Sequence, residues 1–282
     1  MKDKKSITHN MVNMGGRLLD LSSPVVMGIL NATPDSFYAG CRVEAEEDIA
    51  ARADRIIAEG AKIIDVGACS TRPGSEFADE QEEMTRLRRA LRIVRKVQPD
   101  ALVSVDTFRP EVARMAVEEF GVGMINDISG GGFSLDAPET IPPMFECTAR
   151  LRVPYVLTSV ESNLQAMLKT WAGATRMLYS LGVADVILDP GFGFGKDLTQ
   201  NYELMARLDL MQVLQLPILV GVSRKSMIWK LLEGSPQTAL AGTTALHAIA
   251  LSKGASILRV HDVAEAVDVC KVMGKLLQSA ED

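Results

Sequence analysis

Cysteine is scarce in this chain: four occur in 282 residues, and no two of them form a Cys-x-x-Cys pair. This scarcity argues against a structural zinc site and against a disulfide-stapled secreted domain. Apolar runs fall short of the roughly 18 residues of a membrane span, and no apolar signal-peptide core follows the charged N-terminus. We therefore expect a cytoplasmic protein that has no membrane partner.

An excess of basic residues is also lacking. The 30 Lys and Arg are outnumbered by 36 Asp and Glu, which gives a formal net charge of −6 and no electrostatic footprint for nucleic acid. The common nucleotide-binding motifs are missing too. The glycine-rich run at 191–195 is followed by Lys196, where the dinucleotide fingerprint needs glycine, and then by Asp197, which does not fit a P-loop. On its own, this run predicts a turn that exposes Asp189.

What the chain does contain is a repeated unit, in which an apolar run ends in a polar residue and leads through a loop to a helix. Eight such runs occur, at residues 25–30, 62–66, 101–106, 122–126, 154–158, 186–189, 218–222 and 256–260. Strands that are apolar on both faces and alternate with helices are typical of a buried parallel sheet. We predict an α/β fold, a single-domain (β/α)8 TIM barrel over residues 24–282 after an N-terminal segment at 1–23. A doubly wound open sheet is the alternative, because closure cannot be read from a sequence.

The active site of such a barrel lies at the carboxyl ends of its strands. The polar residues at or near these ends are Asn31, Arg72, Asp106, Asn126, Thr158, Asp189, Lys225, Arg259 and His261. Charged groups in such positions are costly unless they are paired or used. The acceptors Asp106, Asn126 and Asp189 suit a flat heterocycle with N–H donors, whereas the cations suit an anion with several oxygens, such as a pyrophosphate. Lys225 could serve either half.

Simpler explanations remain for several of these residues. His261 could form a structural pair with its neighbour Asp262, and His247, inside an apolar helix, is expected to pack rather than to bind a ligand. Cys69 lies in a candidate loop, but no positioned base is visible, so an inert thiol is expected.

Eight motifs, taken in order over residues 24–277, resemble those of the dihydropteroate synthase family. They are Met27-Gly-Ile-Leu-Asn-Ala-Thr-Pro-Asp-Ser-Phe37, Ile64-Asp-Val-Gly67, Ser70-Thr-Arg-Pro-Gly74, Ser104-Val-Asp-Thr107, Ile125-Asn-Asp-Ile128, Leu188-Asp-Pro-Gly-Phe-Gly-Phe-Gly-Lys196, Ser223-Arg-Lys-Ser226 and Arg259-Val-His-Asp262. The resemblance implies a transferase of folate biosynthesis, usually a homodimer, of the kind that sulfonamides target. Such an enzyme condenses 6-hydroxymethyl-7,8-dihydropterin pyrophosphate with para-aminobenzoate to give 7,8-dihydropteroate and pyrophosphate.

The resemblance also implies a role for each matching residue. The implied pterin-binding residues are Asp106, Asn126, Asp189 and Lys225. The implied pyrophosphate-binding residues are Asn31, Thr71, Arg72, Arg259 and His261, with Mg2+ near Asn31. The aminobenzoate pocket would be lined by Phe37, Pro73 and Ser226, and the catalytic set would be Lys225, Asp106, Asp189 and Arg259.

Three segments depart from the family pattern. Ala39-Gly40-Cys41 stands where many relatives have Asp-Gly-Gly, Ala68-Cys69 replaces Gly-Glu, and Thr158-Ser-Val160 replaces Met-His-Met. These changes motivate an alternative function, that of a divergent paralogue that binds pterin with little or no synthase turnover. A methyltetrahydrofolate-dependent methyltransferase domain is a third reading. Two motifs, Ser223-Arg-Lys-Ser226 and Ser70-Thr-Arg-Pro-Gly74, argue against it, because methyl transfer from that donor needs no pyrophosphate clamp.

Overall fold

The computed structural model describes residues 11–32, 41–68 and 79–281, with only the backbone at 41–45, 280 and 281. Its first elements are the antiparallel strands β1 (Met11–Met14) and β2 (Arg17–Asp20), which lie within the segment predicted for residues 1–23. Eight further strands form one sheet: β3 (Val25–Asn31), β4 (Ile63–Gly67), β5 (Leu102–Asp106), β6 (Met124–Asp127), β7 (Tyr155–Thr158), β8 (Val186–Asp189), β9 (Leu219–Val220) and β10 (Ile257–Val260).

This sheet closes into a barrel. Its strands follow the order β8-β7-β6-β5-β4-β3-β10-β9, with parallel pairing between neighbours. The two ends of that row meet where a parallel bridge joins Leu188 to Ile218, and the Leu188 amide donates to the Pro217 carbonyl at 2.9 Å. The predicted (β/α)8 barrel is thus confirmed, and the open doubly wound sheet is excluded.

Helices connect the strands. They are α1 (Cys41–Ala58), α2 (Glu80–Val97), α3 (Pro110–Phe120), α4 (Pro143–Leu151), α5 (Leu164–Ser180), α6 (Leu198–Ala206), α7 (Ser226–Trp229), α8 (Leu240–Ser252) and α9 (Val263–Glu281). Local chemistry sets their ends. The carboxylate of Asp79 accepts the Glu82 amide at 2.8 Å and caps α2, while α3 begins with Pro110 and ends at Gly121 with a φ of 62°. None of the helices in the described ranges has the length and apolarity of a membrane span.

Some boundaries differ from the sequence-based prediction. The apolar pattern predicts a helix over residues 201–214, but α6 starts at Leu198 because Asp197 and Gln200 form a reciprocal capping box. Arg207 then leaves the helical conformation, at φ −115° and ψ 19°, and Leu208–Leu214 continues as a 3-10 helix. The apolar run at 218–222 has only two residues of regular strand pairing. The sequence after it predicts a helix over 227–232, and the structure has the four-residue α7 there.

The hairpin of β1 and β2 closes the amino-terminal end of the barrel. Buried side chains of the hairpin and of the strand starts form one apolar cluster, here called the barrel floor. It comprises Val12, Met14, Leu19, Leu21, Val25, Met27, Ile63, Met124, Val156, Ile187, Leu219 and Ile257. Because residues i and i+2 of a strand face the same side, the next inward positions after Ile63, Met124 and Ile257 belong to Asp65, Asn126 and Arg259. The barrel interior therefore changes from an apolar floor to a polar mouth.

Candidate active site

Arg259 lies at the centre of the polar mouth. Its Nε donates to Asp65 Oδ2 at 2.7 Å, and its Nη2 donates to Asp106 Oδ2 at 2.5 Å. The same Asp65 oxygen accepts a hydrogen bond from Asn126 Nδ2 at 3.1 Å. Strands β4, β5, β6 and β10 thus contribute one connected network. Arg259, which the resemblance places in the pyrophosphate half, contacts a predicted ring-binding carboxylate directly.

The charges in this network shift one another's pKa values. Burial raises the pKa of Asp106 to about 7; Arg259 opposes that rise, while the nearby carboxylates Asp65, Glu83 and Asp127 add to it. Burial alone would lower the pKa of Arg259, but Asp65 and Asp106 raise it above its usual value. Arg259 is therefore a permanent cation, whereas Asp106 can change its charge near neutral pH.

A second pair of opposite charges, Asp189 and Lys225, lies beyond the ends of β8 and β9, near enough for each to shift the pKa of the other. Asp189 is 6% exposed, and its Oδ1 accepts the Gly191 amide at 2.8 Å. Lys225 Nζ donates to the Phe192 carbonyl and lies 4.6 Å from the centroid of the Phe194 ring. Burial raises the pKa of Asp189, against the pull of Lys225, and burial lowers the pKa of Lys225 to about 8, against the pull of Asp189. These contacts associate Lys225 with Asp189, in the predicted ring-binding half.

The glycine-rich run after β8 is a turn, as predicted, although it leaves Asp189 largely buried. Gly191 adopts a φ of 66°, and a Cβ added there would stand 2.2 Å from the Ser159 carbonyl oxygen, so only glycine fits. Lys196 Nζ donates to the carbonyls of Ser159, Gly191 and Phe194 at 3.0, 3.1 and 3.0 Å. The lysine therefore fixes this turn to the loop that follows β7.

His261 lies half-buried just beyond β10. Burial, together with the charges of Arg259 and Arg52, lowers the pKa of His261 to about 4, so the imidazole is neutral at pH 7. Its backbone carbonyl accepts Arg52 Nη2 at 2.8 Å. The suggested pair between His261 and Asp262 is wrong, because the Asp262 carboxylate accepts Nε and Nη2 of Arg224 at 2.8 and 2.7 Å. The His261 ring is thus not committed to that carboxylate.

Asn31 ends β3 with an exposed side chain. Its amide oxygen is a hard ligand of the type that Mg2+ prefers. Within the described ranges, no group of three or more His, Cys, Asp or Glu could form a metal cage. Asn31 is a candidate to hold such an ion through one oxygen, with water and substrate phosphates as the usual further ligands of Mg2+.

Four predicted site residues, Phe37, Thr71, Arg72 and Pro73, lie outside the described residues, as does Cys69. Ser226 follows Lys225 directly, as the half-buried first residue of α7. His247 is 1% exposed, and neither ring nitrogen has a partner among the described residues, which confirms it as a packing residue.

Asp65 was missed as a site residue. Its signal in the sequence was a single carboxylate inside the apolar strand 62–66, a position that a charge occupies only when it is paired.

A family model described as pterin binding enzyme matches residues 27–261. The dihydropteroate synthase of Escherichia coli (strain K12) is 39% identical over 284 residues, which cover 95% of this chain and 96% of the relative. The chain belongs to the dihydropteroate synthase family. This membership confirms the predicted class, a transferase of folate biosynthesis.

Solved dihydropteroate synthases share the fold along nearly the whole chain. The enzyme of Xanthomonas albilineans, solved with 4-aminobenzoic acid, matches with a TM-score of 0.83 at 35% identity, covering 96% of this chain and 99% of that one. The enzyme of Yersinia pestis, solved in a sulfonamide drug complex, matches with a TM-score of 0.83 at 34% identity, covering 95% of this chain and 99% of that one. The (β/α)8 barrel predicted from the eight apolar runs is therefore the family's own fold.

Proposed function

We propose that this chain condenses 6-hydroxymethyl-7,8-dihydropterin pyrophosphate with para-aminobenzoate, giving 7,8-dihydropteroate and pyrophosphate. One observation carries the proposal. The ring-binding candidates Asp106 and Asn126 and the anion-binding candidate Arg259 meet in one network at the barrel mouth. A site with acceptors on one side and a buried cation on the other suits a polar heterocycle that carries a diphosphate.

The ring half would bind the pterin through its N–H groups. Asn126 is 1% exposed, and its Oδ1 has no partner within the described part of the chain, so a bound ring could satisfy it. Asp106 and Asp189 supply carboxylates from the ends of β5 and β8. When the C–O bond of the substrate breaks, positive charge develops on the pterin methylene, and these carboxylates stabilise it.

The other half would bind the departing diphosphate. Arg259 is fully charged and offers a rigid fork of N–H donors. His261 starts as a neutral N–H donor, and the negative charge of the diphosphate favours its protonation. Asn31 would hold Mg2+ together with the substrate phosphates, and a bound ion would neutralise charge on the leaving group.

The arylamine is neutral near pH 7 and attacks the methylene carbon without a strong base. Ser226, beside Lys225, is the described candidate for contact with para-aminobenzoate. Exclusion of water matters here, because water would otherwise capture the cation.

A turnover assay with the purified chain tests the proposal. Release of pyrophosphate should require both substrates and should match the amount of dihydropteroate formed; omission of para-aminobenzoate is the control. Tight binding of the pterin with no pyrophosphate release would instead favour the paralogue with little or no turnover, which the altered loops suggested.

We also propose that the chain forms a homodimer. Helix α9 carries an exposed apolar stripe, in which Val272 is 68% and Leu276 is 59% exposed, four residues apart on one face. Helix α8 packs against α9 and presents Ile249, which is 42% exposed. Sedimentation velocity should give a dimer for the unaltered chain and a monomer for Val272→Glu with Leu276→Glu. A monomer for both, or a dimer for both, contradicts the assignment of this face.

A further inference from the structure

Asp65 holds two predicted substrate-binding residues by one oxygen atom. It is fully buried on β4, and its Oδ2 accepts both Arg259 Nε at 2.7 Å and Asn126 Nδ2 at 3.1 Å. Arg259 belongs to the predicted diphosphate half, and Asn126 belongs to the predicted ring half. The Asp65 carboxylate thus contacts one residue from each predicted half of the site.

The second carboxylate that pairs with Arg259, that of Asp106, has a different predicted role. Asp106 accepts Nη2 of Arg259 at 2.5 Å, but it is also a predicted partner of the pterin ring. Binding of the ring therefore adds a second donor to the carboxylate that pairs with Arg259. Asp65 is not among the residues implied to bind the ring, and its bond to Nε can persist while Asp106 turns to the substrate.

We propose that Asp65 is a positioning residue that holds Arg259 beside the diphosphate while Asp106 binds the pterin ring. The proposal rests on the proposed function. In the absence of Asp65, the guanidinium would keep only Asp106 in this network and would compete with the ring for that carboxylate. A buried cation retains its place only where an opposite charge remains, and Asp65 has no exposed side-chain surface, against 15% for Asp106.

The Asp65→Asn variant distinguishes the positioning of Arg259 from a general contribution of Asp65 to the structure of the site. The asparagine oxygen can still accept from Asn126 Nδ2, so the ring half keeps its geometry, but the charge that anchors Arg259 is gone. Affinities are measured by calorimetry for 6-hydroxymethyl-7,8-dihydropterin, which has no phosphate, and for its pyrophosphate ester.

For the unaltered chain, the ester should bind more tightly than the alcohol. In Asp65→Asn we expect the ratio of ester affinity to alcohol affinity to shrink by about 10- to 100-fold, as when a partner that orients a functional group is removed. The affinity for the alcohol itself should change by less than about 3-fold. An equal loss for both ligands, or no loss for either, would overturn the proposal.

A double-mutant cycle tests whether Asp65 acts through Arg259. Arg259→Ala should lose the diphosphate advantage, and adding Asp65→Asn should cost no more, because the residue that it positions is already absent. Independent, additive losses would mean that Asp65 does not work through Arg259.

The matched control is Glu83→Gln, which alters another fully buried carboxylate, one that accepts from Arg109 and from Thr107 Oγ1. The diphosphate advantage should survive in this variant; an equal loss there would count against a specific role for Asp65. If Asp65→Asn does not fold, Asp65→Ser is measured in the same way.

The unaltered chain is also assayed for pyrophosphate release. Failure of that assay refutes the proposed function. Full release by the unaltered chain, with an unchanged diphosphate advantage in Asp65→Asn, refutes only the positioning role.

Discussion

The ionisation state of Asp106 bears directly on the proposed reaction. Its carboxylate binds one cation, Arg259, and lies in the field of other carboxylates, while burial disfavours its ionised form. Only the ionised form can stabilise a positive charge on the substrate. The same burial strengthens that stabilisation, because an electrostatic interaction gains strength where water is excluded.

The pH dependence of kcat/KM follows from these shifts. A raised carboxyl pKa means that Asp106 keeps its proton up to higher pH, so activity should fall as the pH drops through about 7. Because its pKa is lowered to about 8, Lys225 loses its charge at a lower pH than an ordinary lysine, so activity should fall again above about pH 8. Initial rates between about pH 5.5 and 9.5 check this bell-shaped curve. An acid limb near 4, the ordinary carboxyl value, would contradict the role of Asp106.

The pair of Lys225 and Asp189 yields a second prediction. Lys225→Ala or Asp189→Asn removes one of two opposite charges that act on each other's pKa, together with a predicted ring contact. We expect kcat/KM to fall by at least about 100-fold, or about 2.7 kcal/mol of transition-state stabilisation. Lys230→Ala, at an exposed lysine on the same segment, is the control and should keep its activity. Near-normal kinetics in either site variant would remove that residue from the site.

Sequence reasoning at this scale found the polar residues but not their partners. Asp106, Asn126, Asp189 and Arg259 could be selected because each stands at or near the end of an apolar run. Which of them touch depends on register between strands far apart in the chain, as for Arg259 and Asp65, 194 residues apart. For the same reason, Arg259 was matched to an anion before its carboxylate partners could be seen.

The turn after β8 shows how one side chain stabilises an irregular element. Its glycines adopt left-handed backbone conformations, which give the turn little regular hydrogen bonding of its own. Lys196 supplies the missing bonds by donating to three carbonyls on two loops. The carbonyl of Phe192, which Lys225 contacts, belongs to this turn, so its shape bears directly on the site.

Replacement of Lys196 by methionine should destabilise this turn. The Lys196→Met side chain keeps its length but leaves three carbonyls without their charged donor, at a cost of about 1–3 kcal/mol in the free energy of unfolding. Urea denaturation measures the loss. Lys253→Met is the control, because Lys253 pairs with the half-exposed Asp209 at 2.7 Å and such surface pairs contribute about 0–1 kcal/mol. Equal costs for the two variants would contradict the bracing role of Lys196.

Elements were predicted best where local pattern decides them. The eight strands were found because a strand buried on both faces reads as a continuous apolar run. The hairpin at Met11–Asp20 gave no such run, since its exposed polar residues, such as Asn13 and Arg17, interrupt the apolar pattern. The division of 201–214 into α6 and a 3-10 helix depends on a capping box at Asp197 and Gln200 that the apolar pattern alone does not reveal.

At the scale of the whole molecule, the barrel separates stability from chemistry. The apolar floor lies at the amino ends of the strands, where the hairpin covers it, and the charged network lies at the carboxyl ends. Conservation of packing at one end and of charges at the other is a general property of this architecture. The two ends should therefore respond to substitution independently.

The hairpin provides the test of that independence. Met14 is 2% exposed within the floor, so Met14→Ala should lower the free energy of unfolding by about 2–5 kcal/mol, as for other large-to-small changes in a core. Leu18 lies on the same hairpin at 68% exposure, and Leu18→Ala should stay within about 0.5 kcal/mol. Below the melting temperature of either variant, kcat/KM should match the unaltered chain, because neither side chain reaches the mouth. A loss of kcat/KM in folded Met14→Ala would show that the floor and the site are mechanically coupled, contrary to this division of the barrel.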